Sequence, residues 1–229
     1  MTEDGHLKAF GILQVVDAPE NMKSKDILKQ FNALLFRQHS VSNSLRNFLK
    51  DKCLDEVIPK VLKDVLELFH GGRVYIIEYD EDYHTQNCTY EVVAKGVEPE
   101  IELLQSTATQ GMEWWHRQIW ADKPILLNSL TELPEEAELE RQILSVQDIK
   151  SLMVIPLRNT ERIWGYIGID LVEREYRWDN EDYQWFSSLA NIISICINLR
   201  RAKDEAERER SFLRNLYKYM PCLLYTSDA

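Results

Sequence analysis

The sequence is poor in positive charge and has no long apolar run. Its 229 residues include 27 lysines and arginines against 38 aspartates and glutamates, a formal net charge of −11. Because so acidic a chain repels a phosphate backbone, nucleic-acid binding is not expected. No apolar run approaches the roughly 20 residues that span a bilayer, and the acidic start lacks the features of a secretory signal. We therefore expect a cytoplasmic protein without a membrane partner.

Cysteines are few and scattered. They have no C-x-x-C spacing and form no cluster with histidine at the spacing of metal ligands. We therefore expect free thiols in a reducing compartment, with no disulfide framework and no metal site. The four are Cys53, Cys88, Cys196 and Cys222.

An acidic segment downstream could suggest a divalent cation site. It lacks the alternating oxygen ligands and the glycine turn of a calcium loop, so we interpret it as a solvated helix face. Its carboxylates are Glu135, Glu136, Glu138 and Glu140.

Hydrophobic periodicity predicts an α+β domain in the middle of the chain. A helix is expected from Leu54 to Phe69, where apolar residues recur every three or four positions. Strands are predicted at 73–80, 88–95, 124–128, 151–157 and 162–172, with Cys88, Tyr90, Val92 and Ala94 on one face. Adjacent strands often lie too close in sequence for parallel crossovers. We therefore predict a mainly antiparallel sheet of about five or six strands with helices on both faces.

Long amphipathic helices are predicted on either side of this domain. The N-terminal one has a heptad seam with a single polar position, which favours a two-stranded contact over packing on its own domain. The seam residues are Ile27, Phe31, Leu34, Gln38, Val41, Leu45 and Phe48. The C-terminal helix, from Glu181 to Tyr217, would be roughly 55 Å long. We expect its far half, with Leu213 and Tyr217, to project and pair with a second copy of the chain.

The central strands carry a recognisable pair of motifs. SLMVIPL (151–157) is followed by IWGYIGID (163–170) and by a helix start with Trp178, Asp182 and Phe186. Together with RVYIIEYD and YEVVAKGVEP upstream, these segments resemble a GAF domain of the type found in bacterial sensor histidine kinases and diguanylate cyclases. The resemblance covers residues 52–199. It implies a GAF-like fold with a ligand pocket between an antiparallel sheet and its helices.

Weaker resemblances flank this domain. Residues 1–23 look like the end of a PAS domain, and residues 220–229 look like the start of another. Residues 24–51 and 200–219 are then a linker helix and a coiled-coil signalling helix. We expect a piece of a longer sensor, with neighbouring PAS and output domains in the same chain; whether residues 226–229 are native stays open.

The resemblance implies a non-catalytic sensory or signal-relay module in a homodimer. His39 falls within the predicted N-terminal helix but lacks the motif that follows a phosphoacceptor histidine, and no nucleotide-binding or cyclase motif follows. The resemblance is compatible with a full-length protein that is a histidine kinase or diguanylate cyclase. One alternative is a thiol enzyme, similar to the GAF-fold methionine sulfoxide reductases, that uses Cys88 or Cys53. Another is a ligand-free spacer between dimer helices.

The expected ligand is an unidentified small molecule. A bilin would need a pocket cysteine beside a histidine or in an Asp-x-Cys setting, and a cyclic nucleotide would need an Asn-Lys…Phe…Asp-Glu pattern. Neither stands in this sequence, so the cofactor stays unknown. A generic apolar pocket is predicted, although aromatic residues at such spacings more often belong to the core. Its lining residues would be Tyr90, Val92, Trp115, Ile119, Ile155 and Tyr166.

Overall fold

The computed structural model describes residues 53–224, with side chains up to Leu216. The predicted PAS-like segment 1–23, the predicted linker helix 24–51 with its heptad seam, and residues 225–229 lie outside the described residues, as does the side chain of Tyr217. Within the described range, no helix is both long and apolar enough to cross a membrane.

The described part of the chain contains four α-helices, six strands and two short 3₁₀-helices, Leu130–Glu132 and Glu135–Ala137. The sheet order is β3-β2-β1-β6-β5-β4 with every neighbouring pair antiparallel, which confirms the predicted fold class. The elements are α1 (Leu54–Phe69), β1 (Arg73–Tyr79), β2 (Thr85–Val93), β3 (Thr107–Ala108), α2 (Glu113–Trp120), β4 (Ile125–Leu127), α3 (Glu138–Val146), β5 (Ser151–Arg158), β6 (Ile163–Leu171) and α4 (Asn180–Leu224). The two-residue β3 was not predicted.

Helices cover both faces of the sheet, and each face has its own core. On one face, α1 and the first half of α4 form the α1/α4 core, around residues such as Ile58, Ile167 and Phe186. On the other face, α2 and α3 form the α2/α3 core, around Trp115 and Tyr166. The strands β5 and β6 are buried along almost their whole length because both of their faces are covered.

A β-bulge in β2 corrects one prediction about its faces. The register pairs Ile76 with Tyr90 and Ile77 with Cys88, so Thr89 is an extra residue. The extra residue reverses the alternation of side chains. Cys88 therefore lies in the α2/α3 core, whereas Tyr90 and Val92 pack against the α1/α4 core, so the four residues predicted on one face do not share it.

The long C-terminal helix is present. Its first half is buried through Phe186, Leu189, Ala190, Ile193 and Ile197. From Arg200 to Leu216 almost every residue is exposed, because the helix has passed the edge of the sheet. At 45 residues, α4 is roughly 68 Å long, so its second half extends beyond the domain.

Candidate ligand-binding site

A small cavity lies in the α2/α3 core, against β1, β2 and β6. Its volume is about 60 Å³, enough for a few waters or one very small molecule. Polar side chains from the sheet form one wall and apolar side chains from the helices the other. The lining residues include Arg73, Tyr75, Gln86, Glu91, Glu100, Leu104, Met112, Trp115, Leu144, Ile149, Tyr166 and Asp170.

A buried ion pair forms the polar wall of the cavity. Arg73 and Asp170 are direct neighbours across β1 and β6, and both side chains are about 4% exposed. Arg73 Nε lies 3.6 Å from Asp170 Oδ2, and the Tyr75 hydroxyl donates to Asp170 Oδ1 at 3.1 Å. Burial raises the pKa of Asp170 to about 7, against the opposing effect of the Arg73 charge. This carboxyl therefore titrates near neutral pH.

Arg73 also holds the cavity wall to the segments around it. One guanidinium nitrogen donates to the Gln147 carbonyl oxygen at 2.7 Å, just after α3. The other donates to the Glu98 carbonyl oxygen at 3.3 Å and lies 3.7 Å from the Glu100 carboxylate. A single side chain thus joins the sheet, the end of α3 and the loop that follows β2.

Two aromatic side chains also line the cavity, Trp115 from α2 and Tyr166 from β6. The rings of Trp115 and Tyr166 meet edge to face with centres 6.2 Å apart, and Tyr166 donates to Gln86 Oε1 at 3.0 Å. Burial raises the pKa of Tyr166, so its hydroxyl stays neutral. Trp115 is 2% exposed, and its indole N–H lies near enough to the Tyr166 hydroxyl to oppose the rise in that group's pKa, but without the geometry of a hydrogen bond. The indole N–H is therefore a buried donor at the cavity wall.

The acidic segment was predicted to be a solvated helix face, and this prediction is wrong for Glu140. Glu135, Glu136 and Glu138 are exposed, but Glu140 is 2% exposed. Its Oε1 accepts the backbone N–H groups of Trp114 and Trp115 at 3.0 and 3.2 Å. The carboxylate thereby satisfies free donors at the start of α2, where a negative charge is favourable.

A neutral histidine lies behind Trp115 on the same helix. His116 Nδ1 and the Tyr79 hydroxyl are hydrogen-bonded at 2.7 Å, and the His116 ring stacks on Trp120. Burial lowers the pKa of His116 to about 4, so the imidazole is uncharged at neutral pH. Apart from the aromatic composition of α2, no sequence pattern indicates this arrangement.

The six predicted pocket residues are divided between the two faces of the sheet. Trp115 and Tyr166 line the cavity. Ile119 lies in the same core but is not among the lining residues. The other three, Tyr90, Val92 and Ile155, pack in or against the α1/α4 core. The polar cavity residues Arg73, Gln86 and Asp170 were not among the predicted pocket residues, although Asp170 ends the IWGYIGID motif.

Sequence comparison identifies the family. The GAF domain model matches residues 54–197. The chain belongs to the GAF domain family. A curated relative, the methanogenesis regulatory histidine kinase FilI of Methanothrix harundinacea, is 27% identical over 165 residues. That alignment covers 70% of this chain but only 18% of FilI, so this GAF chain spans a small part of the relative's length.

Solved GAF domains share the fold. The phycoerythrobilin-bound GAF domain of a cyanobacterial phytochrome superposes with a TM-score of 0.62 at 11% identity, covering 74% of this chain and 98% of that one. The photoproduct state of GAF3 from Slr1393 of Synechocystis sp. PCC6803 gives a TM-score of 0.57 at 15% identity, covering 67% and 98%. At these identities the likeness shows the fold alone.

The described residues do not fit a covalently attached bilin. The cavity is far smaller than the roughly 300–1,000 Å³ of typical ligand pockets, and no cysteine is among its lining residues. Cys88, in the same core, is 2% exposed, and burial raises the pKa of its thiol to about 12. A thiol that stays protonated is a poor nucleophile, which also weighs against a thiol enzyme built on Cys88.

Proposed function

We propose that this chain is a non-catalytic sensory GAF module that relays a signal through paired helices of a cytoplasmic homodimer. The carrying observation is that β1 and β6, which line the cavity, also contact α4 through Glu78 and Trp164, while the helix packs mainly on β5. β1 contributes Arg73 and Tyr75 to the cavity, and β6 contributes Tyr166 and Asp170. A change in the cavity therefore acts on the two strands that contact the projecting helix.

The contacts of these strands with α4 lie at the point where the helix leaves the sheet. Trp164 of β6 donates its indole N–H to Ser194 Oγ at 3.1 Å. The Arg201 guanidinium lies over the Trp164 ring, 4.6 Å from its centre, and pairs with Glu78 of β1. A shift of β1 against β6 would thus move the start of the projecting half of α4. A signal relay requires that this helix have two distinguishable positions, and the proposal is that the state of the cavity selects between them.

The projecting half of α4 has an apolar stripe suited to a second copy of the same helix. Its residues recur at the three- and four-residue steps of a heptad repeat, interrupted by Glu209. The side chains of Leu199, Leu213 and Leu216 are 47–65% exposed. The surrounding surface carries balanced charges, including the Arg200–Asp204 pair. The stripe consists of Ile195, Leu199, Ala202, Ala206, Leu213 and Leu216.

Sedimentation equilibrium tests the dimer. We expect the wild-type chain to be dimeric, and the double substitution Leu213→Glu with Leu216→Glu to weaken association because it places charges in the stripe. The matched control is Ser211→Glu, which adds one charge to the opposite face of the exposed helix and should leave association unchanged. A wild-type chain that stays monomeric at high concentration would contradict the proposal.

The small volume of the cavity favours a second candidate, a ligand-free spacer between dimer helices. Native mass spectrometry of the protein purified from its host distinguishes the two. A retained small molecule supports the sensor, and bare dimers in every preparation support the spacer. The neighbouring PAS and output domains remain part of the proposal, supported by the small share of the FilI kinase that the chain covers.

A further inference from the structure

The cavity has unused hydrogen-bond donors. Among the described residues, three buried side-chain nitrogens have no hydrogen-bond partner, and two of them, Arg73 Nε and Trp115 Nε1, belong to residues that line this cavity. Arg73 Nε has Asp170 Oδ2 at 3.6 Å, which is an ion-pair distance but longer than a hydrogen bond. A buried donor without an acceptor is costly, so this cavity favours an occupant with an acceptor oxygen.

The same cavity has an excess of acceptors and of negative charge. Asp170, Glu91 and Glu100 face a single cation, Arg73. Glu91 accepts the backbone N–H groups of Glu100 and Ile101, and Asp170 accepts the Tyr75 hydroxyl. Their remaining lone pairs favour an occupant with N–H donors. An anion would add to the negative excess, and a cation with donors alone would leave the Trp115 indole N–H without an acceptor, so the occupant should be neutral.

We propose that the cavity binds a small neutral amide, a planar molecule with a carbonyl oxygen beside an N–H group. The carbonyl accepts the Trp115 indole N–H, and the amide N–H donates to the carboxylates of the sheet wall. A volume of about 60 Å³ limits the molecule to about four non-hydrogen atoms, the size of acetamide or urea. This inference rests on the proposed sensory function and names the chemistry of its ligand.

Three planar molecules of equal size test which hydrogen-bonding groups and which charge the cavity prefers in an occupant. Acetamide has a donor and an acceptor, acetate has acceptors and a negative charge, and acetamidinium has donors and a positive charge. The chain has six tryptophans, and each gives one indole N–H signal in a ¹H–¹⁵N spectrum. We expect acetamide to shift the Trp115 signal saturably at millimolar concentration. Acetate and acetamidinium should bind at least about tenfold more weakly, because each leaves one set of buried partners unsatisfied.

Two variants locate the interaction. Trp115→Phe keeps an aromatic ring but removes the indole N–H, so its spectrum should assign the signal, and acetamide binding should weaken at least about tenfold. Binding to this variant is followed through the backbone amide signals of Tyr75 and Tyr166, which line the cavity and remain present. The control is Trp120→Phe on the same helix, whose side chain is exposed and does not line the cavity, and it should bind acetamide as the wild type does. If Trp115→Phe fails to fold, the three-molecule series in the wild type still decides the question.

The outcomes separate this inference from the proposed function. Tighter binding of acetate or acetamidinium would overturn the amide chemistry and leave a ligand-sensing role intact. Absence of a saturable shift with all three molecules would overturn the amide inference, whereas a monomeric chain would overturn the dimer relay. Equal acetamide binding by Trp115→Phe would also overturn the inference, because the indole N–H would then contribute nothing.

Discussion

At the scale of single residues, two glycines of the IWGYIGID motif explain how the cavity wall is assembled. A Cβ atom at Gly165 would lie 2.2 Å from the carbonyl oxygen of Ile77, and one at Gly168 would lie 2.4 Å from the ring of Tyr75. The Tyr75 ring is held where it is by its hydrogen bond to Asp170. The motif thus lets β6 lie against β1 and leaves room for the aromatic ring that reaches its final aspartate.

Asp170 predicts a specific dependence of stability on pH. Its pKa is about 7 in the folded protein against an ordinary value of 3.8, so between these values the folded state keeps a proton that the unfolded chain has released. The free energy of unfolding contributed by this carboxyl therefore falls as pH rises through that window and is level above it. This pH window exists because burial raises the pKa of the Asp170 carboxyl by more than the Arg73 charge lowers it.

Denaturant unfolding of the wild type and of Asp170→Asn measures this contribution. Between about pH 5 and about pH 8 the free energy of unfolding of the wild type should fall by on the order of 2 kcal/mol relative to that of the variant. This change does not depend on the difference in stability between the two proteins at any one pH. His116, whose pKa is lowered to about 4, contributes in the opposite direction but is present in both proteins, so it cancels. A difference that is constant over this range would show that Asp170 is ionised throughout.

Some residues of the cavity could be predicted from the sequence and others could not, and the difference has a physical reason. Trp115 and Tyr166 could be named because large aromatic residues in a core commonly line cavities. Ile155 was named with them although it faces the other core. Since β5 and β6 are covered on both faces, their sequences are mostly apolar, and alternation gives no sign of which face a residue occupies.

At the scale of secondary-structure elements, the helices and the main strand pairs could be predicted, while the faces of β2 could not. The apolar residues of α1 recur at helical spacing, and those from Val57 to Leu66, together with Phe69, are buried as expected. The bulge at Thr89 has no comparable signal, because one extra residue leaves the composition of a strand unchanged. The two-residue β3 is likewise too short to produce a pattern.

The Glu140 carboxylate links α3 to the first turn of α2, in addition to the apolar contacts between the two helices. Glu140→Ala should destabilise the fold by about 2 kcal/mol, because it leaves two buried backbone N–H groups without an acceptor. The matched control is Glu136→Ala, which removes an exposed ion pair with Arg117 and should change stability by less than about 1 kcal/mol. Denaturant unfolding gives both values.

Amide hydrogen exchange checks the cause of that destabilisation. In Glu140→Ala the amides of Trp114 and Trp115 should exchange faster than in the wild type, since they are the groups that Glu140 binds. Unchanged protection of these two amides would show that the helix start is held by something else.

At the scale of the whole molecule, the described chain divides into a domain with two cores and an exposed helical extension. Both cores end by Ile197, and Arg201 makes the last contacts with the sheet, through Glu78 and Trp164. From Ala202 to Leu216 all side chains are exposed except Asp204, which pairs with Arg200 on the same helix. The extension therefore adds little to the stability of the domain.

Two shortened chains test this division. A chain ending at Arg201 should unfold at nearly the temperature of the full chain, because it keeps both cores and the Arg201 contacts. A chain ending at Leu189 should unfold at a much lower temperature, since it lacks the buried Ile193 and Ile197. Calorimetry of both chains gives the comparison, and a large loss in the longer one would mean that the extension supports the domain.

The groove where α1 begins and α4 leaves has a consequence for how such proteins diversify. Leu54 and Asp55 at the start of α1 line the same groove as Ile197, Arg200 and Asp204 of α4. The backbone thus enters and leaves the domain at neighbouring points, which is the geometry that tolerates insertion of one domain into another. Such a domain can be inserted into a chain, or lost from it, without a change in the relative position of the segments before and after it.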